Sequence, residues 1–236
     1  MVTATERLAR NRLLDALPDE EYERLSHRME PAHFSPGKVI DEAGDRARHV
    51  YFPSNGVIAL LLMTAEGESI EVGMIGNEGT TAVPIVMHSG RMPYRTVAQS
   101  SMEAVRIEAS AIHEEIERVG RLSYVLLCYS NSLFIQIARS AVCNRFHPAE
   151  QRFSRWLLDT GDRIDSDAIE ITQECIASLL GIQRSVVSAS ETALQRAGLI
   201  TFGRGAITII DRKGLETSAC ECYEIIKDQV CRCLIA

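Results

Sequence analysis

Residues 173–211 read QECIASLLGIQRSVVSASETALQRAGLITFGRGAITIID, and their reading decides the fold. Thr172 precedes a short helical stretch as an N-cap, its side-chain oxygen suited to the orphan amides, with Glu174 adding charge at the positive end of the dipole. Gly181 supplies a left-handed residue that turns the chain sharply, and the small Ala177, four residues earlier, lets a second helix cross closely. Ile176, Leu180, Ile182 and Val187 are expected to face inward and pin the pair. That combination is the signature of a helix-turn-helix. The second helix, about 184–197, ends at Gly198. Two short β runs follow, joined by Gly203, Arg204 and Gly205, and read as a hairpin. A helix-turn-helix followed by a hairpin is a winged helix.

Such a unit places its second helix in the DNA major groove. The side chains expected to face DNA are Gln183, Arg184, Ser185, Ser188, Ala189 and Thr192, with Thr172 and Gln173 at the start of the first helix. Arg184 can present two donors to a guanine edge, and the hydroxyls reach bases or phosphates. Arg204, at the hairpin tip, is placed for a phosphate. The chain carries a net charge of −7. Between Arg184 and Lys213, however, four Arg and one Lys face only Glu191 and Asp211, a local excess of +3. Overall acidity is a poor guide when one small face does the binding. The plainer reading, a common helical corner with a solvated serine face, is weakened by the hairpin and by this local charge.

Working outward, Pro148 opens a helix in PAEQRFSRWLLDTGDRI, with Phe153, Trp156, Leu157 and Thr160 on one face and Gly161 as its stop. Before it, Leu122, Leu126, Tyr129, Leu133, Ile137 and Ala141 recur at steps of three and four, laying one apolar stripe along a helix from about Arg121 to Asn144. The stripe approaches a coiled-coil seam and is expected to join two copies of the chain. From Pro31 to about Glu108 short apolar runs alternate with turn signals, the texture of an all-β sandwich or barrel. The strands are predicted at 50–53, 57–63, 69–74, 94–99 and 103–107. Residues 5–28 read as a helical preface in which Pro18 takes a first-turn position.

In this order of elements, and above all in EQRFSRWLLD and the opening stretch, the chain resembles the Crp/Fnr superfamily of bacterial transcription regulators over nearly its whole length. The fold class the resemblance implies is α+β: an N-terminal β jelly roll of cyclic-nucleotide-binding type at 1–120, a dimerisation helix at 121–147 and a winged helix-turn-helix domain at 148–236. It further implies a homodimer on a near-palindromic double-stranded DNA site, RNA polymerase as a partner, and an unknown small-molecule effector in the barrel. Two departures matter. Ser185 and Ala189 stand where the superfamily's usual recognition helix carries a Glu and an Arg, so base preference does not transfer. Ser190 occupies a position that is usually large and apolar.

The resemblance also places an effector pocket around Glu78, Arg95 and Thr96. The positions of the phosphate-binding Gly-Glu helix hold Val83 and Pro84, and proline has no amide hydrogen to offer. Weak or no cyclic-nucleotide binding is the expectation. The cluster cysteines of the Fnr-like members have no counterpart, since no cysteine precedes Cys128.

The seven cysteines are expected to be free thiols in a reducing compartment. Cys220, Cys222, Cys231 and Cys233 form a C-x-C, eight residues, C-x-C pattern that could hold a metal, although C-x-C is shorter than usual zinc spacing. Redox sensing is the other alternative, and plain packing or exposed thiols is the favoured reading there. His27, His33, His49, His88, His113 and His147 show no metal-ligand spacing. No metal and no cofactor are therefore expected. Nucleophile-elbow, P-loop and dinucleotide motifs are missing, so the chain is not expected to be an enzyme. No run nears the roughly eighteen uninterrupted apolar residues of a membrane span, and the start lacks a signal peptide's apolar core, so a cytoplasmic protein without membrane contact is expected. The chief alternative is a sensor or scaffold whose winged helix binds another protein.

Overall fold

The structure is a computed structural model that describes residues 10–164, 166–203 and 205–235, with side chains described through residue 229. It divides into two compact units. Among the described residues, the first comprises 10–58, 75–131 and 232–235, and the second lies within 59–74 and 132–231.

In the first unit the helical preface is two short helices, α1 (Arg12–Asp15) and α2 (Asp19–Ser26), rather than one. Asn11 caps α1 through its Oδ1 and is wholly buried, its Nδ2 donating to the carbonyls of Pro53 and Gly79 at 2.9 Å each. Pro18 is the N-cap of α2, one position earlier than expected, with Asp19, Glu20 and Glu21 in the first turn. The strands are β1 (Glu30–Phe34), β2 (Val39–Asp41), β3 (His49–Asn55), β4 (Ile58–Met63), β5 (Ser69–Ile75), β6 (Arg95–Ala98) and β7 (Met102–Glu108), with α3 (Val83–Val86) between β5 and β6. In this unit β1-β7-β3 form an antiparallel sheet and β2 pairs antiparallel with β6, while β4 and β5 fall almost wholly in the second. All five predicted strands are present. β1 and β2 escaped the sequence reading because their half-exposed residues do not alternate clearly. Val50, Phe52, Val57, Ala98 and Ile107 fill the barrel core.

After α4 (Ala109–Glu117) comes α5 (Arg121–Phe146). Its first free amides, Arg121 N–H and Leu122 N–H, both donate to the Glu21 carboxylate at 2.9 Å, a capping contact between distant residues. One 18-residue window of α5 has mean hydropathy 1.2, enough by length and composition for a membrane span, and 44% of that window is buried inside the chain. The helix carries buried Ser130, Ser132, Gln136 and Ser140 on the same face as its leucines, which is how a helix packed by its own protein looks.

The second unit holds α6 (Ala149–Ile164), β8 (Ala168–Glu170), α7 (Gln173–Leu180), α8 (Arg184–Arg196), β9 (Ile200–Gly203), β10 (Ala206–Ile209), α9 (Arg212–Ser218) and α10 (Cys222–Ile235). Gly161 does not stop α6, which continues one turn further. Phe153, Trp156, Leu157 and Thr160 are buried as expected, yet the opposite face is buried too: Arg152, Arg155, Asp159 and Arg163. Arg155 Nη1 donates to Asp159 Oδ2 at 2.8 Å, and Arg163 Nη1 to the Asp159 carbonyl at 2.7 Å. A buried charge needs such partners. The β4–β5 hairpin belongs to this unit: Gln136 Oε1 on α5 accepts from Met74 N–H at 2.6 Å, and Trp156 Nε1 donates to Glu71 Oε1 at 3.2 Å.

Candidate nucleic-acid interface

The helical corner forms as its residues dictate. Thr172 Oγ1 accepts from Cys175 N–H at 3.2 Å, and Gly181 adopts φ 61°, ψ 44°, the left-handed conformation that closes α7. Ile182 N–H then returns to the Ala177 carbonyl at 3.0 Å. Ile176, Leu180 and Val187 are buried and Ile182 is half-buried, so the apolar pin is as expected. The position of Gly181 has a second cause. A Cβ there would meet Ile70 Cδ1 at 2.8 Å, because the β4–β5 hairpin lies against the turn. Hairpin and turn enclose a cleft of about 800 Å³, lined by Leu62, Ile70, Ala177, Ile182 and Val186 among others, and Ser69 Oγ lies 3.2 Å from Ser178 Oγ.

On α8, Gln183, Arg184, Ser185, Ala189 and Thr192 are exposed and Ser188 is half-buried. Arg184 Nη1 sits 2.9 Å from Glu174 Oε1, with both side chains more than 60% exposed, a pair that water screens and a phosphate or base edge can break. Thr192 Oγ1 donates to the Ser188 carbonyl at 2.8 Å. Thr172 is exposed at the cap. Gln173 differs from expectation. It is half-buried, and its Nε2 donates to Glu191 Oε2 on the inner face of α8, so it serves the corner rather than a surface. Glu191, 3% exposed, was counted in the sequence as surface charge; only its helical phase, one turn from Val187 and Leu194, marked it as inward. Ser190 is buried at the usually apolar position, where its small side chain leaves the packing to Val187 and Leu194.

The wing is a three-stranded sheet of order β8-β10-β9, with Ile207 opposite Phe202 on one side and Ile169 on the other. β8 was not foreseen. Arg204, the expected phosphate contact, lies outside the described residues; the flanking Gly205 has φ 81°, as the hairpin turn requires.

In the barrel, the three effector residues are already engaged or enclosed. Arg95 donates to both oxygens of Glu42, at 2.7 and 3.1 Å. Thr96 is fully buried, donating to Asp41 Oδ2 at 3.1 Å and accepting from Asp41 N–H at 2.9 Å. Burial pushes the Asp41 carboxyl above its usual range. Glu78 is buried in the turn after β5. Helix α3 has proline in its first turn, and its Pro84, Ile85 and Val86 are buried, an apolar wall where the resemblance places phosphate-binding amides.

Comparison with known proteins agrees with this geometry at both ends. Residues 31–119 match the cyclic nucleotide-binding domain, and residues 151–218 match the Crp-like helix-turn-helix domain. The chain belongs to the Crp/Fnr family of transcription regulators. It is 23% identical over 212 residues to the HTH-type transcriptional regulator Cmr of Mycobacterium tuberculosis, covering 85% of this chain and 80% of Cmr. It is likewise 23% identical over 220 residues to the nitrogen fixation regulation protein FixK of Bradyrhizobium diazoefficiens, covering 87% of each. Two solved structures share the fold: FixK2 of Bradyrhizobium japonicum, with TM-score 0.66 and 14% identity over 81% of this chain and 98% of that one, and a CRP-family transcriptional regulator of Thermus thermophilus, with TM-score 0.65 and 19% identity over 80% and 96%. Crp/Fnr proteins are regulators of transcription and not enzymes.

For a Crp/Fnr protein the face of α5 matters, and here the structure corrects the sequence. Leu122, Leu126, Tyr129 and Leu133 are each at most 3% exposed within a single chain, and Ile137 is half-buried; of the expected seam only Ala141 is open. The open apolar stripe is a different one. Tyr124, Leu127, Asn131, Phe134, Ala138 and Ala141 follow one another at alternating steps of three and four, all exposed, and Phe134 keeps 65% of its surface. The first stripe is the more hydrophobic and therefore the more visible in sequence; the chain's own core claims it.

Proposed function

We propose that this protein is a sequence-specific DNA-binding transcription regulator that acts as a homodimer in the cytoplasm, with α8 in the major groove. The observation that carries the reading is the exposed polar face of α8, Gln183, Arg184, Ser185, Ala189 and Thr192, held on a capped and tightly packed corner. Arg184 is the base reader, Ser185 and Ser188 reach bases or phosphates, and Thr172 and the wing around Arg204 meet the backbone. RNA polymerase is the further partner this role requires. The engaged Arg95 and Thr96 favour an effector other than a cyclic nucleotide, and calorimetry with cyclic AMP and cyclic GMP is expected to show no micromolar binding.

Two copies join through the stripe of Tyr124, Leu127, Phe134 and Ala141, a 3-4 repeat of the kind that packs knobs into holes. That seam sets the two α8 helices one DNA turn, about 34 Å, apart. An effector that binds one arrangement of the seam better than another would act by shifting populations.

Selection of bound DNA from random oligonucleotides, repeated with Arg184→Ala, tests the assignment. The variant is expected to lose about 1–3 kcal/mol of discrimination at one base pair of each half-site. Selection of an unchanged sequence would remove Arg184 from the reading role, and salt-independent binding would remove DNA altogether. For the seam, Phe134→Glu is expected to yield folded monomers by light scattering and to weaken DNA binding by roughly 2–4 kcal/mol. Leu126→Ala should instead lower stability by about 2–5 kcal/mol with the dimer intact where folded.

A further inference from the structure

Three cysteines and a histidine that the sequence keeps far apart come together in the second unit. Cys143 lies in the last turn of α5, and His147 follows it four residues later, on the same helical face just past the helix end. Cys220 and Cys222 come from the junction of α9 and α10. All three cysteines are buried. One ligand atom from each of the four residues lies within 4.8 Å of every other. Cys143 Sγ is 3.6 Å from Cys220 Sγ, and Cys222 Sγ is 3.8 Å from His147 Nδ1.

These separations identify the occupant. A disulfide would hold its sulfurs at about 2.05 Å. A tetrahedron with metal–sulfur bonds of about 2.3 Å and metal–nitrogen bonds of about 2.0–2.1 Å has edges of about 3.5–3.8 Å. The Cys143–Cys220 and Cys222–His147 pairs are therefore spaced as ligands of one ion, and the remaining pairs, all within 4.8 Å, allow one ion to reach all four. The imidazole is oriented for the same task. Its Nε2 faces Glu221 Oε1 at 3.3 Å, which leaves Nδ1, 3.8 Å from Cys222 Sγ, as the nitrogen turned to the thiol cluster. Carboxylate, histidine and metal in line is the usual way a protein fixes a ligating imidazole. Charge is provided for as well: a divalent ion with three thiolates is an anion, and the buried Arg155 and Arg152 of α6 lie close enough to feel the charge of Cys143.

We propose that Cys143, His147, Cys220 and Cys222 form a structural site for a single zinc ion. Three sulfurs and one imidazole nitrogen in a closed, buried tetrahedron suit zinc among the divalent ions. The ion ties the corner where α5 passes into α6 to the start of α10; about three turns back along α5, Ser132 Oγ donates to the Gln229 carbonyl of α10 at 3.1 Å. The sequence pattern pointed elsewhere, to Cys220 and Cys222 with Cys231 and Cys233, whose side chains lie outside the described residues. The C-x₃-H pair across the end of α5 was the signal that the usual metal-ligand spacings do not cover. A second group, His88, His113 and Glu117, is fully exposed and carries no such argument.

The test is metal analysis of the full chain, purified under reducing conditions without chelator, before and after addition of zinc. About one zinc per chain is expected, falling roughly tenfold or more in Cys143→Ala and Cys222→Ala and unchanged in Cys175→Ser. His147→Cys keeps the ion, which separates ligation from folding. Glu221→Gln weakens zinc about tenfold in competition with a chromophoric chelator. Cobalt in place of zinc gives the visible bands of a tetrahedral thiolate site in the unaltered protein. No metal above background after zinc addition, full zinc content in Cys143→Ala or Cys222→Ala, loss of zinc in His147→Cys while the fold persists, or a Cys143–Cys220 disulfide in place of the ion by mass spectrometry would each overturn the proposal.

Discussion

The Arg–carboxylate pair within α6 and the one that joins α8 to α7 have opposite fates. On α6, Arg155 and Asp159 retain 10% and 5% of their side-chain surface, and Arg163 closes on the same carboxylate from the next turn at 3.7 Å. Arg184 of α8 and its partner Glu174 of α7 retain 65% and 62%. The separations are almost the same, 2.8 and 2.9 Å, so distance does not distinguish them. Surroundings do. A buried pair is costly to form and more costly to break, because the surviving charge is stranded. An exposed pair contributes about 0–1 kcal/mol and exchanges freely with water or another anion. The first belongs to architecture, and the second is what a DNA reader needs.

Asp159→Ala is the sharpest way to break this contrast. It leaves Arg155 and Arg163 buried without their carboxylate, and urea unfolding is expected to show a loss of about 3–5 kcal/mol. Arg184→Ala in the same assay should change stability by less than about 0.5 kcal/mol. If the two variants unfold alike, burial is not what separates the pairs.

An effect of similar size, spread over several pH units, comes from the carboxylate on the far side of the α6 cluster. Glu71 on β5 is half-buried as a residue, but its Oε2 is enclosed, and desolvation pushes its carboxyl up to about 8 against the pull of Arg155 and Arg163; Asp159 adds to the rise, and the Trp156 hydrogen bond opposes it. The folded state therefore holds a proton there that the unfolded chain releases at about 4.5. Between those values the native state binds more protons than the unfolded one, so this group lowers stability as pH rises, by at most about 1.4 kcal/mol per pH unit. Glu71→Gln should flatten that slope in denaturation measured from pH 5 to 8, with the largest gain in stability at the alkaline end. An unchanged slope would place the proton elsewhere.

Much of this arrangement was legible in the sequence where local chemistry and tertiary role agree. Thr172, Gly181 and the 3.6-residue period announce the helical corner without help from distant residues, and the five principal strands follow from turn signals. The failures share a cause. Glu191 and Gln173, Arg155 and Asp159, Leu122 and Leu126 were misjudged or passed over because the deciding partner lies elsewhere in the chain: the core closes over the stripe, or a polar partner admits a charge to the interior. Composition assigns charges to the surface and the strongest apolar stripe to the partner. Only the fold shows which polar groups the core has accepted and which apolar ones it has left out.

The smallest prediction tests whether the Arg184–Glu174 pair is a resting state of the reader. Glu174→Ala frees the guanidinium and removes a carboxylate from a surface that must meet phosphates, so affinity for the selected DNA, by fluorescence anisotropy at fixed salt, should rise by up to about 1 kcal/mol. The gain has two sources, and a double-mutant cycle separates them. If release of Arg184 dominates, the gain from Glu174→Ala shrinks in an Arg184→Ala background. If the same gain persists there, the carboxylate acts only through its general charge, Arg184 is not held by it, and the exposed pair between α7 and α8 is incidental to reading.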